Sequence, residues 1–421
     1  MKCLSREVSE YVYVVTSNGE TIIYAPILHS ALRVSGSLKN KEQNVIVSQL
    51  SEISAGHLRK GKSNLLRTLK SPYEMTRMTI LPNFKCNFMC SYCYAAKGRS
   101  NIEMTRSTLD VALDWFLNPN RVPYRELYVH IVGGGEPLMS WERVEETLKK
   151  VSEARNIRDQ KIDVAMTTNG SLITDERAML LASTNVFVNI SFEVIKEVHN
   201  LQRGMYETVE KGIFKLQRAG ARIAIHTTIS PVNVDRMPDV VEIVLQRFPF
   251  VKRLSLEAIM AGKEVFNSAE ALQLFLRKFQ RGFSEAQRLG ANVGMLVTSA
   301  SHLKLDMLKE RFCLGDFCLT PYGDIVICHR ISSPNEFNYK SLVFGKVKDG
   351  RLEIDELGYQ RALAFSVHDR LKCRQCFLRW NCGGLCVAKQ MSFPPDYYGV
   401  LCDSAREEGF AFIKGIAETV A

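Results

Sequence analysis

The sequence predicts an α/β protein built on a partial (β/α)6 barrel, with a small α+β extension in front and a cysteine-rich domain behind. Three observations carry that reading. Short apolar, β-branched runs alternate with longer amphipathic stretches from about Met75 to Ala258. The residues with unusual chemistry fall just past the ends of those runs, on the rim where parallel barrels gather their reactive loops. Eleven of the twelve cysteines fall into two spaced groups, Cys86 to Cys93 and Cys313 to Cys402.

The candidate strands are 78–82, 127–132, 162–168, 186–192, 222–229 and 252–258. Each is followed by helix-like sequence, such as 107–116, 142–154, 206–219 and 238–247. Alternation of this kind builds a parallel sheet, and six units are fewer than the eight of a closed barrel. The cysteine loop follows the first strand, Gly133-Gly134-Gly135-Glu136-Pro137 ends the second, Thr168-Asn169-Gly170 ends the third, and Ser191 ends the fourth. All four features land on one rim. A Gly-Gly-Glu turn there lets a ligand approach bare backbone, with a carboxylate ready for a cation.

The front cysteines read Cys86-x3-Cys90-x2-Cys93. Iron–sulfur clusters are normally held by four thiolates, so a loop that offers three leaves one iron open. The rear cysteines read Cys313-x4-Cys318, Gly323-x4-Cys328, Cys373-x2-Cys376-x5-Cys382-x3-Cys386 and Cys402, enough ligands for two closed clusters. Disulfides need an oxidising compartment, and the first residues lack the apolar core of a secretory signal. Zinc competes for the rear group, where Cys-x2-Cys pairs also suit structural zinc. Inert buried thiols do not account for such regular spacing.

At 421 residues and 46% apolar content the chain is long enough for two or three domains. No run approaches the eighteen or so apolar residues of a membrane span, so a soluble, cytoplasmic protein without a membrane partner is expected. Lysine and arginine outnumber aspartate and glutamate 55 to 45, a formal charge of +10. That balance suits an acidic peptide or a nucleic acid, and equally a mixed solvated surface.

The front motif, with Tyr92 just before its third cysteine and Gly134-Gly135-Glu136-Pro137 downstream, resembles the radical S-adenosylmethionine (SAM) superfamily over about residues 75 to 260. The resemblance implies that Cys86, Cys90 and Cys93 hold a 4Fe–4S cluster whose open iron chelates the amino and carboxylate groups of SAM. One electron then breaks the sulfonium bond, and the 5′-deoxyadenosyl radical takes a hydrogen atom from substrate; such chemistry belongs to the cofactor, while the protein orients it. It further places Gly134, Gly135 and Glu136 at the methionine amino group, Tyr92 near the adenine, Ser191 at the ribose or carboxylate, and Arg203 as a carboxylate partner. Asn169 is a further cofactor contact or a turn residue. Glu193-Val194 stands where relatives commonly have Asp-Gly.

Residues from about Cys313 to Cys402 resemble the SPASM extension found on a subset of that superfamily. By that resemblance one auxiliary 4Fe–4S cluster takes Cys313, Cys318, Cys328 and Cys386, and a second takes Cys373, Cys376, Cys382 and Cys402, making three clusters in all. Such enzymes mostly act on peptides or proteins and draw on a low-potential flavodoxin or ferredoxin. The expected activity is therefore hydrogen abstraction from a ribosomally made precursor peptide, followed by a thioether or carbon–carbon crosslink. Sulfatase maturases, which make formylglycine, place a basic aspartate directly after the cysteine of the Gly-x4-Cys element. This sequence has His329 there, a candidate catalytic base in its place. A zinc-stabilised nucleic-acid-binding protein is the alternative of another class, and nucleic acid is not the expected partner.

The expected division is residues 1–72 as an extension, 73–300 as the barrel and 301–421 as the SPASM domain. In the extension, Tyr11 to Val15 and Thr21 to Tyr24 flank Asn18-Gly19 and read as a hairpin, with helix-like sequence over 42–69. A small sheet with helices suits a leader-peptide-binding domain, where a peptide adds a strand at the edge, or a plain cap on the barrel. Gly56-x4-Gly61-Lys62-Ser63 satisfies the phosphate-loop expression but lacks the strand before it and the nucleotide domain around it. Cys3 stays outside every group.

Overall fold

The computed structural model describes residues 4–9, 11–17, 19–34, 40–60, 65–66, 71–122, 126–157, 161–260, 262, 264–301, 303 and 305–420. Cys3, Asn18 and the Gly61–Ser63 part of the phosphate-loop match lie outside them. The six expected barrel strands are present as β5 (Arg77–Ile80), β6 (Leu127–Ile131), β7 (Ile162–Thr168), β8 (Val186–Ser191), β9 (Arg222–Ile229) and β10 (Arg253–Ala258). Each pairs in parallel with the next. Two strands that the sequence reading missed extend the sheet. Strand β11 (Leu296–Thr298) joins β10, and β12 (Phe317–Leu319), from the cysteine-rich region, joins β5 in parallel. Among the described residues β11 and β12 do not pair, so the curved sheet stays open between them. From β12 the sheet continues antiparallel through β13 (Asp324–Val326), β14 (Val343–Lys348) and β15 (Arg351–Ile354).

The connecting helices α2 (Arg106–Phe116), α3 (Trp141–Ile157), α4 (Asp175–Ser183), α5 (Tyr206–Arg218), α6 (Met237–Arg247) and α7 (Ala269–Asn292) pack outside the sheet. Thr105, Thr174 and Ser268 start α2, α4 and α7 by accepting a hydrogen bond from the backbone N–H three residues on. Alternate residues of the strands, such as Val129 and Ile131 or Val186, Val188 and Ile190, bury against these helices. The other face of the strands lines a central cavity.

The extension folds as a sheet of β1 (Leu4–Ser9), β2 (Val12–Ser17), β3 (Glu20–Ala25) and β4 (Ser30–Val34), closed by β16 (Glu418–Val420) at the far end of the chain. The hairpin is β2–β3, with Ser17 paired to Glu20. The helix α1 (Asn40–Arg59) runs unbroken through Gly56, so the first half of the phosphate-loop match is helix rather than a strand-to-helix loop. Period-two alternation splits the sheet's contacts. Val12, Ile23 and Ala25 meet Val47 of α1, while Tyr13, Val15, Ile22 and Tyr24 meet Phe377, Leu378 and Trp380 of the cysteine-rich region. The buried Tyr24 hydroxyl donates to Asn381 Oδ1 at 3.0 Å, so the polar tip has a partner in the apolar seam.

Candidate active site

Beyond β5 the chain turns into the loop that carries Cys86, Cys90 and Cys93. Backbone bonds fix it: Phe84 N–H to Ile102 O at 3.0 Å, Ser91 N–H to Gln202 O at 3.0 Å and Cys93 N–H to Cys90 O at 3.2 Å. The three thiols line one wall of a cavity of about 820 Å³ that fills the barrel interior. Burial pushes the Cys86 and Cys90 thiols above their ordinary range, against the pull of Arg99 on the first and Arg203 on the second. Arg203 Nη1 lies 3.7 Å from Cys90 Sγ, and the Arg99 guanidinium bonds to Cys93. Coordination to iron removes a thiol's proton outright, and these two cations then face the resulting negative charge. Among the described residues no three His, Cys, Asp or Glu side chains converge as a single ion requires. In a cubane each thiolate takes its own iron, so its ligands stand apart. The donor set fits such a cluster.

Behind the loop lies a hub that the sequence reading passed over. Glu193, 1% exposed just past β8, accepts the Tyr92 hydroxyl and the Thr228 N–H, and forms an ion pair with Arg203 at 2.5 Å. That ion pair is a charge contact rather than an aligned hydrogen bond. The Arg203 guanidinium also lies 5.2 Å from the centre of the Tyr92 ring. On the other side His199 Nδ1 accepts the Glu193 N–H at 3.2 Å, and burial takes His199 down to about 4, so it stays neutral. Arg203 thus has an acid partner in place before any cofactor carboxylate arrives. The departure from Asp-Gly at Glu193-Val194 supplies the carboxylate that joins Tyr92 to Arg203.

The Gly-Gly-Glu turn is shaped by what it cannot hold. A Cβ at Gly135 would come within 1.8 Å of Lys85 O, and one at Gly134 within 2.3 Å of the Phe84 ring. Only glycine brings this turn against the cysteine loop, where Glu136 N–H donates to Lys85 O at 2.6 Å. The Glu136 carboxylate, read from sequence as ready for a cation, already accepts the Leu138 N–H at 3.1 Å, the Thr168 hydroxyl at 2.5 Å and the Asn169 N–H at 2.7 Å. Burial raises its pKa, and these three donors oppose the rise. Asn169 behaves as a turn residue, its Oδ1 accepting Ser171 N–H at 2.9 Å while its side-chain amide donates to Asn87 at 2.9 Å. Ser191 lines the cavity from the end of β8.

His329 lines the same cavity, with Nδ1 3.3 Å from Asp316 Oδ2, and Asp316 in turn pairs with Arg77 Nε at 2.7 Å. The rear cysteines fall into two sets. Cys373, Cys376, Cys382 and Cys402 line one pocket of about 610 Å³ with Arg370, Arg379 and Arg406. Cys328 lies within electrostatic reach of Cys313 and Cys386, and Cys318 of Cys328. Burial pushes Cys373 up to about 11 and Cys382 up to about 12. All eleven described cysteines are free thiols, which sets the disulfide reading aside.

The model of the radical SAM superfamily matches residues 80–244. The chain thus carries a radical SAM domain over those residues, followed by a C-terminal extension. A radical SAM domain implies a 4Fe–4S cluster and SAM. The chain is 21% identical over 360 residues to the radical SAM cyclopropyl synthase TigE of Paramaledivibacter caminithermalis, covering 78% of this chain and 71% of that one. It is 29% identical over 123 residues to a cysteine-type anaerobic sulfatase-maturating enzyme of Clostridium perfringens, covering 28% and 32%. The chain spans 62% of a matching protein from Methanothermobacter thermautotrophicus, so these relatives are matched over unequal parts of their length. In fold it is similar to native anSMEcpe with bound AdoMet, at TM-score 0.63 and 19% identity over 80% of this chain and 98% of that one. It is also similar to Streptococcus suis SuiB bound to its precursor peptide SuiA, at TM-score 0.54 and 14% identity over 91% and 96%. No helix among the described residues is long and apolar enough to cross a membrane.

Proposed function

We propose that this radical SAM enzyme modifies a ribosomally made peptide, taking a hydrogen atom from an unactivated carbon and installing a thioether or carbon–carbon crosslink. The observation that carries the reading is the pair of cysteine environments: three thiols opening on a large cavity, and eight more gathered in two sets outside it. When bound, the front cluster and SAM supply electron transfer and hydrogen abstraction, and two rear clusters supply an outlet for the electron that a crosslink releases. The chain's own residues do the holding. The Gly134-Gly135 turn keeps backbone against the cofactor site, Glu136 clamps that turn to β7, and Glu193 braces Tyr92 and Arg203. Ser191 stands at the cavity wall for a ribose or carboxylate, and His329, oriented by Asp316, faces the substrate space.

The extension supports the same reading through an unshared edge. Strand β1 pairs only with β2 among the described residues, so its other side accepts a leader peptide as an added strand. A low-potential flavodoxin or ferredoxin completes the electron supply. The test is co-production with precursor peptides encoded beside this protein, followed by mass spectrometry. Loss of two hydrogens per crosslink supports the reading, and unchanged masses with every neighbouring peptide contradict it. A second reading, formylglycine formation, is favoured by the sulfatase-maturase match and opposed by His329 in place of aspartate. A formylglycine product on a cysteine or serine peptide in the same assay would decide for it.

A further inference from the structure

The barrel cavity has a second mouth. Strands β5 to β10 each send their first inward residue to the N-terminal end of the barrel: Arg77, Tyr128, Asp163, Phe187, Arg222 and Arg253. All six line the same cavity as the front cysteines. Closed barrels fill this position with layers of bulky branched side chains. Here one of the six is purely apolar and three are arginines.

The charges there do not cancel. Arg77 pairs with Asp316 at 2.7 Å, and Asp163 pairs with Lys161 at 2.7 Å. Arg222 donates to the neutral Asn185 Oδ1 at 3.4 Å, and neither it nor Arg253 has a carboxylate partner among the described residues. Both guanidiniums instead lie over one ring, Arg222 at 5.4 Å and Arg253 at 5.3 Å from the centre of Phe187. A shared aromatic platform restricts the rotamers of both cations while leaving N–H groups beyond the one on Asn185 to meet a ligand. Two pre-positioned guanidinium forks match the geometry of a carboxylate.

From Arg222 to Thr228, which donates to the Glu193 hub, β9 advances six residues, about 20 Å at a strand's rise. A carboxylate held at the second mouth is therefore too far away to be that of a SAM molecule bound at the cysteine rim. It belongs to the other ligand of the cavity. We propose that Arg222 and Arg253 form a carboxylate-recognition port for the substrate peptide, reading an acidic group on the order of three to six residues of extended chain from the modified position. The peptide identity of that ligand rests on the function proposed above.

The test uses the iron-reconstituted full-length protein with SAM and fluorescein-labelled peptides, read by fluorescence anisotropy at low salt. Amidated hexaglutamate is expected to bind at least about tenfold tighter than amidated hexaglutamine. The double variant Arg222→Gln/Arg253→Gln should lose that preference with its melting temperature and iron content unchanged, and the exposed control Lys348→Gln should keep it. A free-acid hexaglutamine that binds as well as hexaglutamate assigns the port to a peptide C-terminus, and one that binds as weakly as its amide assigns it to acidic side chains. An undiminished glutamate preference in the double variant, or none in the native protein, overturns the port. Loss of preference in the double variant, alongside no modified precursor from the native protein, keeps the port and sinks the maturase reading. Equal modification of a precursor by native and double-variant protein keeps the maturase reading and sinks the port.

Discussion

The front cysteine loop and the rear cysteine pocket offer the same ligand, beside arginines in both, in different numbers. At the front, three thiols share a wall with arginines, a glycine turn and an open cavity of about 820 Å³. At the rear, four thiols line a separate pocket of about 610 Å³, and the surrounding Phe377, Leu378 and Trp380 pack against the N-terminal sheet. One site has space beside its ligands for another molecule; the other supplies a full set of four thiolates. On the proposed reading, ligand number and neighbouring space, rather than the cysteines themselves, separate a reactive cluster from an electron carrier.

The largest expected effect comes from emptying the front loop. Cys86→Ala/Cys90→Ala/Cys93→Ala should abolish reductive SAM cleavage, a loss of more than about a thousandfold, and lower iron from about twelve to about eight per chain. Iron analysis and chromatography of 5′-deoxyadenosine read both. Next comes the turn beside it. Gly135→Ala forces a Cβ to within 1.8 Å of Lys85 O, and SAM cleavage should fall about a hundredfold or more while the rear iron is retained. Retained activity would show that the turn can move away from the loop.

At the rear, Cys376→Ala should remove crosslinked product while SAM cleavage falls by less than about tenfold, so the two readouts separate as the two sites do. Parallel loss of both would merge them into one functional unit. The smallest effect is on stability. Burial takes His130 down to about 3 from an ordinary value of 6.5. Between those pH values the unfolded chain binds the extra proton and the folded one does not, so stability falls as pH falls from about 6.5 toward 3, by up to about 1.4 kcal/mol per pH unit. His130→Gln should flatten that part of the melting-temperature profile, and an unchanged slope would place the acid sensitivity elsewhere.

Much of this was legible in the sequence because barrel strands are continuous apolar runs and cluster cysteines are spaced along short loops. All six expected strands occur within two residues of their predicted bounds. Strands β11 and β12 were not legible, since three-residue strands carry too little periodicity, and β12 reaches its partner β5 from more than 200 residues away. Glu193 was visible only as a departure from a motif, and its partners Tyr92, Thr228 and Arg203 come from three separate segments. Glu136 was legible as a carboxylate on the right rim, whereas two of its three hydrogen-bond donors, Thr168 and Asn169, depend on how the next strand end lies beside it. Arg77, Arg222 and Arg253 each look like an ordinary charge opening a strand, and only barrel curvature brings them to one mouth.

The central claim is that the front loop leaves a coordination position for SAM. The most direct measurement is electron paramagnetic resonance of the dithionite-reduced protein whose rear cysteines are replaced, recorded with and without SAM carrying 17O in its carboxylate. A single cluster signal broadened by the labelled carboxylate is the predicted result. A signal that does not respond to SAM, in protein carrying four irons per chain, would contradict the account.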